Sequence, residues 1–197
     1  DPSNALGVAG DEWKQATFQA EIISPDHDNR EIKNIIIAGM GGSALAALIA
    51  KKWLQSEISQ SLEIIRDYHL PKSVNKNTLV IASSYSGNTE ETVSALYEAL
   101  TQDAQIATIS AHGKLEEIAN RKDIAHVKLP SGLQPRMAVI YNLRALIKLL
   151  VAFDIVGPEK YDEIEQSANF LREETKNWLA RVPSDVNLAK QIALYAA

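Results

Sequence analysis

Residues 83–89, Ser-Ser-Tyr-Ser-Gly-Asn-Thr, have the composition of a loop that binds an anion. Ser84, Ser86 and Thr89 each carry a hydroxyl that can donate a hydrogen bond to a phosphate oxygen. The loop follows an apolar run and precedes an amphipathic helical pattern, so unpaired amides of the first helical turn lie beside the hydroxyls. The sequence therefore predicts a neutral phosphate cradle that needs no lysine.

The same loop also has a plainer interpretation as a helix cap. Asn88, with Glu91 three residues later, resembles a capping box, and serines cap helices routinely. A cap uses one hydroxyl or amide, whereas this loop offers four, which favours the phosphate interpretation. Glu90 and Glu91 add negative charge at the same place, so the prediction requires both carboxylates to point away from the phosphate.

A glycine-rich turn, Gly-Met-Gly-Gly-Ser at residues 39–43, joins another apolar run to a helical pattern. Glycine permits a sharp turn and a close approach of the backbone to a ligand. The dinucleotide fingerprint would place its third glycine at Ala44, a position that accepts alanine, and Asp67 could then bind a ribose. The turn alone therefore leaves a nucleotide site, another anion site and simple tight packing open.

The third candidate is Arg136, which follows Pro135 at the predicted start of a helix. The helix dipole disfavours a cation at this end, and departures from local rules are common at functional sites. Arg136 could face a second anionic group, or the negative charge that develops during a reaction. Taken alone, a solvated or salt-bridged surface arginine is the simpler interpretation.

The elements that position these loops predict an α/β fold: a five-stranded parallel, flavodoxin-like sheet with helices on both faces. Residues 34–38, 78–82 and 105–109 are nearly continuous in apolar or small residues, as strands covered on both faces are. Residues 62–66 and 126–129 include charges, which predicts that they form the two edges. Crossovers then give the order 2-1-3-4-5, whose switch point brings the glycine turn and the serine loop together.

Helical patterns separate and flank these strands. The helix after the glycine turn has an apolar stripe of Leu45, Leu48, Ile49 and Trp53, and the helix after the last strand has a broader one. An accessory helix is predicted at residues 11–22.

Three parts of the chain follow from these patterns. Residues 1–30 form the accessory helix and a polar loop at residues 25–28, and residues 31–153 form the ligand-binding domain. Residues 154–197 form a helical extension, with helices near residues 161–178 and 188–195. We expect this extension to lead to a second domain beyond residue 197.

Composition excludes several classes of function. The net charge is -5 with no basic stripe, so no nucleic-acid partner is expected. No apolar run approaches the roughly 20 residues of a membrane helix, and the absence of cysteine favours a reducing compartment such as the cytoplasm. No cofactor is expected, and no spacing suggests a metal site. Structural or solvent-exposed roles are predicted for the histidines, namely His27, His69, His112 and His126.

Together, the turn at residues 39–43, the segment at 84–92 and Gln-Pro-Arg at 134–136 resemble the sugar isomerase (SIS) domain. Within it they are most similar to the N-terminal half of the bifunctional phosphoglucose/phosphomannose isomerases, over residues 11–152. The resemblance implies interconversion of glucose 6-phosphate or mannose 6-phosphate with fructose 6-phosphate. A sugar 6-phosphate is thus the expected ligand, and a homodimer the expected assembly. The resemblance assigns the phosphate to Ser84, Ser86 and Thr89, the sugar to Gly41, Gly42 and Ser43, and the enediolate to Arg136.

Isomerisation also requires a general base, usually a carboxylate, and none here is convincing. Glu90 and Glu91 belong to a helix start. Solvated helix faces account for Glu116, Glu117, Glu163 and Glu165. The resemblance implies that the base, and a histidine and a lysine that open the ring, come from later in the chain or from a partner subunit.

We therefore expect this chain to bind sugar phosphates weakly without isomerising them. Two alternatives stay open. One is a non-catalytic sugar-phosphate sensor of the kind that is attached to DNA-binding helices. The other is a related isomerase or synthase module that acts on amino sugars or pentoses.

Overall fold

The computed structural model describes residues 4–24 and 28–196. Within them the helices are α1 (Ala5–Gly10), α2 (Trp13–Ala16), α3 (Gly41–Leu54), α4 (Glu90–Thr101), α5 (Lys114–Lys122), α6 (Val139–Ala152), α7 (Glu159–Trp178) and α8 (Leu188–Ala196), with a 3₁₀ turn at Pro135–Met137. The strands are β1 (Ile22–Ile23), β2 (Asn34–Gly39), β3 (Ser61–Ile65), β4 (Thr78–Ser83), β5 (Gln105–Ser110) and β6 (Ala125–Lys128). None of the helices described is long and apolar enough to cross a membrane.

The chain divides into two compact units. One consists of Gln19–Tyr161 and contains the whole sheet, and the other consists of Asp1–Phe18 with Asp162–Ala197. The candidate loops all lie in the first of these units.

The sheet has the order β1-β6-β5-β4-β2-β3. Its five parallel strands follow the predicted order 2-1-3-4-5, with Gly39 at the end of β2 level with Ser83 at the end of β4. The sixth strand was not predicted. β1 pairs antiparallel with β6, so the prediction that residues 126–129 form an edge is wrong.

The predicted helix at residues 11–22 is also wrong in extent. Only Trp13–Ala16 is helical within it, and Ile22 belongs to β1. The pair Ile22 and Ile23 is β-branched and gives the free edge of β6 a hydrogen-bonding partner, which a helix could not provide. Of the predicted polar loop, residues 25–27 lie outside the described residues.

Helices cover both faces of the sheet. α4 and α5 pack on one face, around Ala82, Leu96 and Leu115. α3 packs with α6 on the other face of the sheet. The crossover through α3, from β2 to β3, runs along the sheet in the direction opposite to the crossovers through α4 and α5, and right-handed crossovers in opposite directions lie on opposite faces. The apolar stripe predicted for α6 is buried, including Leu146 and Ile147.

The apolar stripe predicted to be the buried face of α3 instead faces away from the core. Leu45, Leu48 and Ile49 are 47%, 43% and 37% exposed, whereas the buried face consists mainly of small residues such as Ala44 and Ala47. α3 packs closely against both α6 and the sheet, and a close approach of backbones leaves room only for small side chains. The prediction followed hydrophobicity and missed this steric requirement.

Candidate functional site

The three hydroxyls singled out in the serine loop converge in the structure. The hydroxyl oxygen of Ser84 lies 2.7 Å from that of Thr89 and 3.4 Å from that of Ser86. Ser84 is buried, while Ser86 and Thr89 are half-buried. Among the described residues these hydroxyls bond to one another and, for Ser86, to the amide of Asn88 at 3.3 Å, so their contacts are local to the loop.

Close backbone contacts fix the shape of this loop. Gly87 has φ +69°, and a Cβ at this position would overlap the carbonyl oxygen of His112. The Gly87 amide donates to the carbonyl of Ser84 at 2.9 Å, and the amide of Leu115 donates to the carbonyl of Gly87 at 3.0 Å. Glycine is therefore required at position 87 for both its conformation and its surroundings.

The capping-box interpretation of this loop is wrong. Thr89, not Asn88, is the N-cap residue of α4, and it makes no capping hydrogen bond through its side chain. The Asn88 side-chain oxygen instead accepts from the amide of Lys114, the first residue of α5, at 3.1 Å. The first amides of α4 thus lack a side-chain cap, beside the hydroxyl cluster, and such amides favour an anion.

Acidic residues also stand at the start of α4. The hydroxyl of Tyr68 donates to the Glu90 carboxylate at 3.4 Å, so Glu90 faces the segment that follows β3. The negative charges of Glu91 and Glu90 raise the pKa of Tyr68. The phosphate prediction requires Glu90 and Glu91 to point away from the serine loop, and this contact gives the first of them, Glu90, a partner elsewhere.

The glycine turn meets the Pro135–Met137 turn. Gly41 has φ +54°, and a Cβ on Gly42 would overlap the carbonyl oxygen of Pro135. Arg136 is exposed and forms no ion pair within the described part of the chain. Because it lies in the 3₁₀ turn that precedes α6, its guanidinium remains available to an anionic ligand.

Ser43 lies in this turn, but its hydroxyl faces the interior. Ser43 is buried, its hydroxyl donates to Asn142 at 3.2 Å, and its amide donates to the carbonyl of Met40 at 3.2 Å. The predicted contact of Ser43 with a sugar would require one of these groups to change partner. Asn142 itself was missed, although it is a polar residue on an otherwise apolar face of the helix.

His69 and His126 both bond to groups outside the hydroxyl cluster. His69 Nδ1 lies 2.6 Å from Glu98, and this hydrogen bond raises the pKa of His69. His126 is fully buried, and its Nδ1 lies 2.8 Å from the hydroxyl of Thr108. Burial lowers the pKa of His126. His27 lies outside the described residues.

Acidic residues are the candidates for a general base and for a metal site. Glu116, one of the acids considered as a base, pairs with Lys128 at 2.6 Å. Among residues 4–24 and 28–196, no group of three or more histidine, aspartate and glutamate side chains could hold a metal ion.

Comparison with known proteins shows the family to which the chain belongs. The SIS domain model matches residues 30–150, and the chain belongs to this family of domains. Two relatives are named bifunctional phosphoglucose/phosphomannose isomerase. The one from Caldicellulosiruptor bescii is 38% identical over 172 residues, covering 87% of this chain and 50% of the relative. The one from Thermoplasma acidophilum is 39% identical over 144 residues, covering 73% and 42%. The chain thus spans about half the length of these relatives.

Solved structures show the same fold at low sequence identity. Tagatose-6-phosphate ketose/aldose isomerase from Escherichia coli has a TM-score of 0.56 and 19% identity, over 90% of this chain and 46% of that one. The NanR protein of Vibrio vulnificus complexed with ManNAc-6P has a TM-score of 0.53 and 16% identity, over 84% and 66%.

Proposed function

We propose that this chain is the N-terminal, substrate-binding half of an aldose–ketose isomerase. Its substrates would be glucose 6-phosphate or mannose 6-phosphate, which it converts to fructose 6-phosphate. The observation that carries the proposal is the cluster of Ser84, Ser86 and Thr89 hydroxyls at the start of α4, which has no side-chain cap. The names of relatives that are 38% and 39% identical support this substrate class.

In this proposal the serine loop anchors the phosphate and the other loops reach the reacting carbons. Three hydroxyls and the first amides of α4 donate hydrogen bonds to the phosphate oxygens. The phosphate thereby fixes the distance from α4 to carbons 1 and 2 of the open-chain sugar. The Gly41–Gly42 backbone, where α3 begins, contacts the sugar hydroxyls.

Arg136 would stabilise the intermediate. Removal of the proton from the carbon beside the carbonyl leaves an electron pair that is delocalised onto oxygen as an enediolate. Return of a proton to the adjacent carbon, with transfer of the hydroxyl proton from one enediolate oxygen to the other, completes the aldose–ketose exchange. A guanidinium that has no ion pair with any described residue is suited to the negative charge of that intermediate.

The general base belongs, in this proposal, to another part of the full-length protein or to a partner subunit. No carboxylate bonds to the hydroxyl cluster in the described residues, and Glu90 faces Tyr68. The 197-residue chain should therefore bind the substrate without turning it over.

A homodimer in the cytoplasm completes the proposal. The exposed face of Leu45, Leu48 and Ile49 supports dimerisation, because α3 begins at the glycine turn and a second copy there would lie beside the site. The absence of cysteine supports the cytoplasmic location. Light scattering of the protein and of Leu48→Glu tests the dimer, which the charge at the interface should dissociate.

A sugar-phosphate sensor is the second candidate. A fold match to the NanR protein complexed with ManNAc-6P favours it. The two candidates differ in the rest of the protein: an enzyme would have a second sheet domain downstream, and a sensor a DNA-binding helical domain upstream.

Calorimetric titration tests the binding claim. The chain should bind fructose 6-phosphate, while unphosphorylated fructose should give no heat of binding. Equal binding of both sugars, or of neither, would contradict a site built around phosphate. Turnover assays then separate enzyme from sensor: the full-length protein should interconvert the sugar phosphates, and this chain should not.

A further inference from the structure

Asn142 is a buried polar residue that connects the three loops of the candidate site. It lies in the first turns of α6 and is 1% exposed. The hydroxyls of Ser43 and Ser83 both donate to its side-chain oxygen, each at 3.2 Å. Its side-chain nitrogen donates to the carbonyl oxygen of Ala138 at 2.8 Å. A carbonyl can only accept, so this contact fixes which way the Asn142 amide points.

Each partner belongs to a different loop. Ser43 ends the glycine turn, and Ser83 is the last residue of β4, directly before Ser84. Ala138 follows the 3₁₀ turn that carries Arg136. Asn142 therefore bonds to one residue in or next to each of the three segments, although it belongs to none of them.

Burial makes these contacts hard to replace. Ser43 is 4% exposed and Ser83 is 3% exposed, so water does not readily take over their hydrogen bonds. An apolar side chain at position 142 would leave two hydroxyls without an acceptor, and the surrounding backbone would shift to find one. Shifts of this kind misplace groups that must converge on a ligand.

We propose that Asn142 is a positioning residue that holds the glycine turn, the serine loop and the Pro-Arg turn in one binding-competent arrangement. This inference rests on the proposed function, because the arrangement it describes is that of the sugar-phosphate site. It assigns Asn142 no contact with the substrate.

The test compares Asn142→Leu with Leu150→Ala in the 197-residue chain. Leu150 is fully buried in the same helix, about two turns further from the site, so its truncation destabilises the fold without touching the loops. Calorimetry with fructose 6-phosphate, well below both melting temperatures, should show about tenfold weaker binding for Asn142→Leu, as for the loss of a supporting hydrogen bond. Leu150→Ala should bind as the unsubstituted chain does.

A second readout does not depend on the ligand. In amide NMR spectra of the free protein, Asn142→Leu should displace the signals of Gly42, Ser84 and Met137, one from each loop. Leu150→Ala should leave these signals in place. Ser83→Ala in the Asn142→Leu background should weaken binding no further, because the acceptor of that hydroxyl is already lost.

The outcomes separate the two proposals. Equal affinities for Asn142→Leu and Leu150→Ala, or additive effects of Asn142→Leu and Ser83→Ala, would overturn the role of Asn142 and leave the proposed function intact. Failure of the unsubstituted chain to bind fructose 6-phosphate would overturn the proposed function, and with it the role of Asn142 in binding. The displaced amide signals would then show only that Asn142 connects the loops.

Discussion

The carbonyl oxygen of Pro135 occupies the space that a Cβ atom on residue 42 would need. Only glycine at position 42 therefore lets the Pro135–Met137 turn rest against the start of α3. The Cα atom of Arg136 would also lie 3.2 Å from that Cβ. Because Gly42 has no side chain, Arg136 can lie next to the glycine turn.

Gly42→Ala should push the Pro135 backbone away and displace Arg136. We expect fructose 6-phosphate to bind at least tenfold more weakly, with a loss of about 1–3 kcal/mol in the free energy of unfolding from overpacking. Calorimetry and urea unfolding measure the two effects. Gly132→Ala is the control: Gly132, unlike Gly42, has positive φ, and its Cβ would meet nothing within 4 Å, so backbone strain should lower stability without an effect on affinity. Equal losses of affinity in both variants would refute the steric explanation.

Ser86→Ala should remove one hydrogen bond to the phosphate. A bond to a charged group contributes about 1.5–3 kcal/mol, so affinity for fructose 6-phosphate should fall roughly ten- to one-hundred-fold. The matched control is Ser110→Ala, which deletes a buried hydroxyl that has no hydrogen-bond partner among the described residues. Ser110→Ala should leave affinity unchanged. Calorimetry on both variants decides, and an unchanged affinity for Ser86→Ala would remove this hydroxyl from the site.

Arg136→Ala should weaken binding of the enediolate intermediate more than binding of the substrate. A sugar-acid phosphate whose carboxylate mimics the enediolate should lose more affinity than fructose 6-phosphate, because the proposed role of Arg136 is to stabilise developing charge. Arg136 is exposed, so the free energy of unfolding should change by no more than about 0.5 kcal/mol. Arg121→Ala, at an exposed arginine of α5, is the control and should alter neither affinity. Equal losses for both ligands would make Arg136 a simple anion contact.

Stability should decrease as the pH falls, because of His126. Burial lowers its pKa below the ordinary value of about 6.5; nearby Glu116 opposes this shift, and Lys128 adds to it. Below about pH 6.5 His126 takes up a proton in the unfolded chain but not in the folded chain. The free energy of unfolding should therefore fall by up to about 1.4 kcal/mol for each pH unit below that value.

Urea unfolding between about pH 7.5 and 5.5 measures this effect. His126→Asn, which can still bond to Thr108, should flatten the profile. His69→Asn is the control: the hydrogen bond to Glu98 raises the pKa of His69, so its contribution has the opposite sign and is lost as the pH rises. A profile that His126→Asn leaves unchanged would contradict the assignment.

The parallel sheet and the position of the loops could be predicted because their signals are local. Continuous apolar runs mark β2, β4 and β5, and a glycine or serine cluster directly follows the first two. The right-handed crossover rule then leaves few arrangements of the strands. The pairing of β1 with β6 could not be predicted in this way, since it joins two residues to a strand about a hundred positions away.

The orientation of α3 and the role of Asn142 depend on packing, which periodicity does not report. Alanines face inward on α3 because α6 lies close to it, and hydrophobicity alone would have chosen Leu45 and Leu48. Asn142 occupies a helical position whose neighbours are apolar. Its structural role is visible only in the folded chain, where the hydroxyls of Ser43 and Ser83 lie within hydrogen-bonding distance of its side chain.

The most direct test of the site is a crystal structure of the chain with fructose 6-phosphate. The phosphate should lie within hydrogen-bonding distance of the hydroxyls of Ser84, Ser86 and Thr89, which would exchange their mutual contacts for the ligand. A phosphate bound elsewhere, or a hydroxyl cluster that stays closed on itself at saturating ligand, would contradict the account.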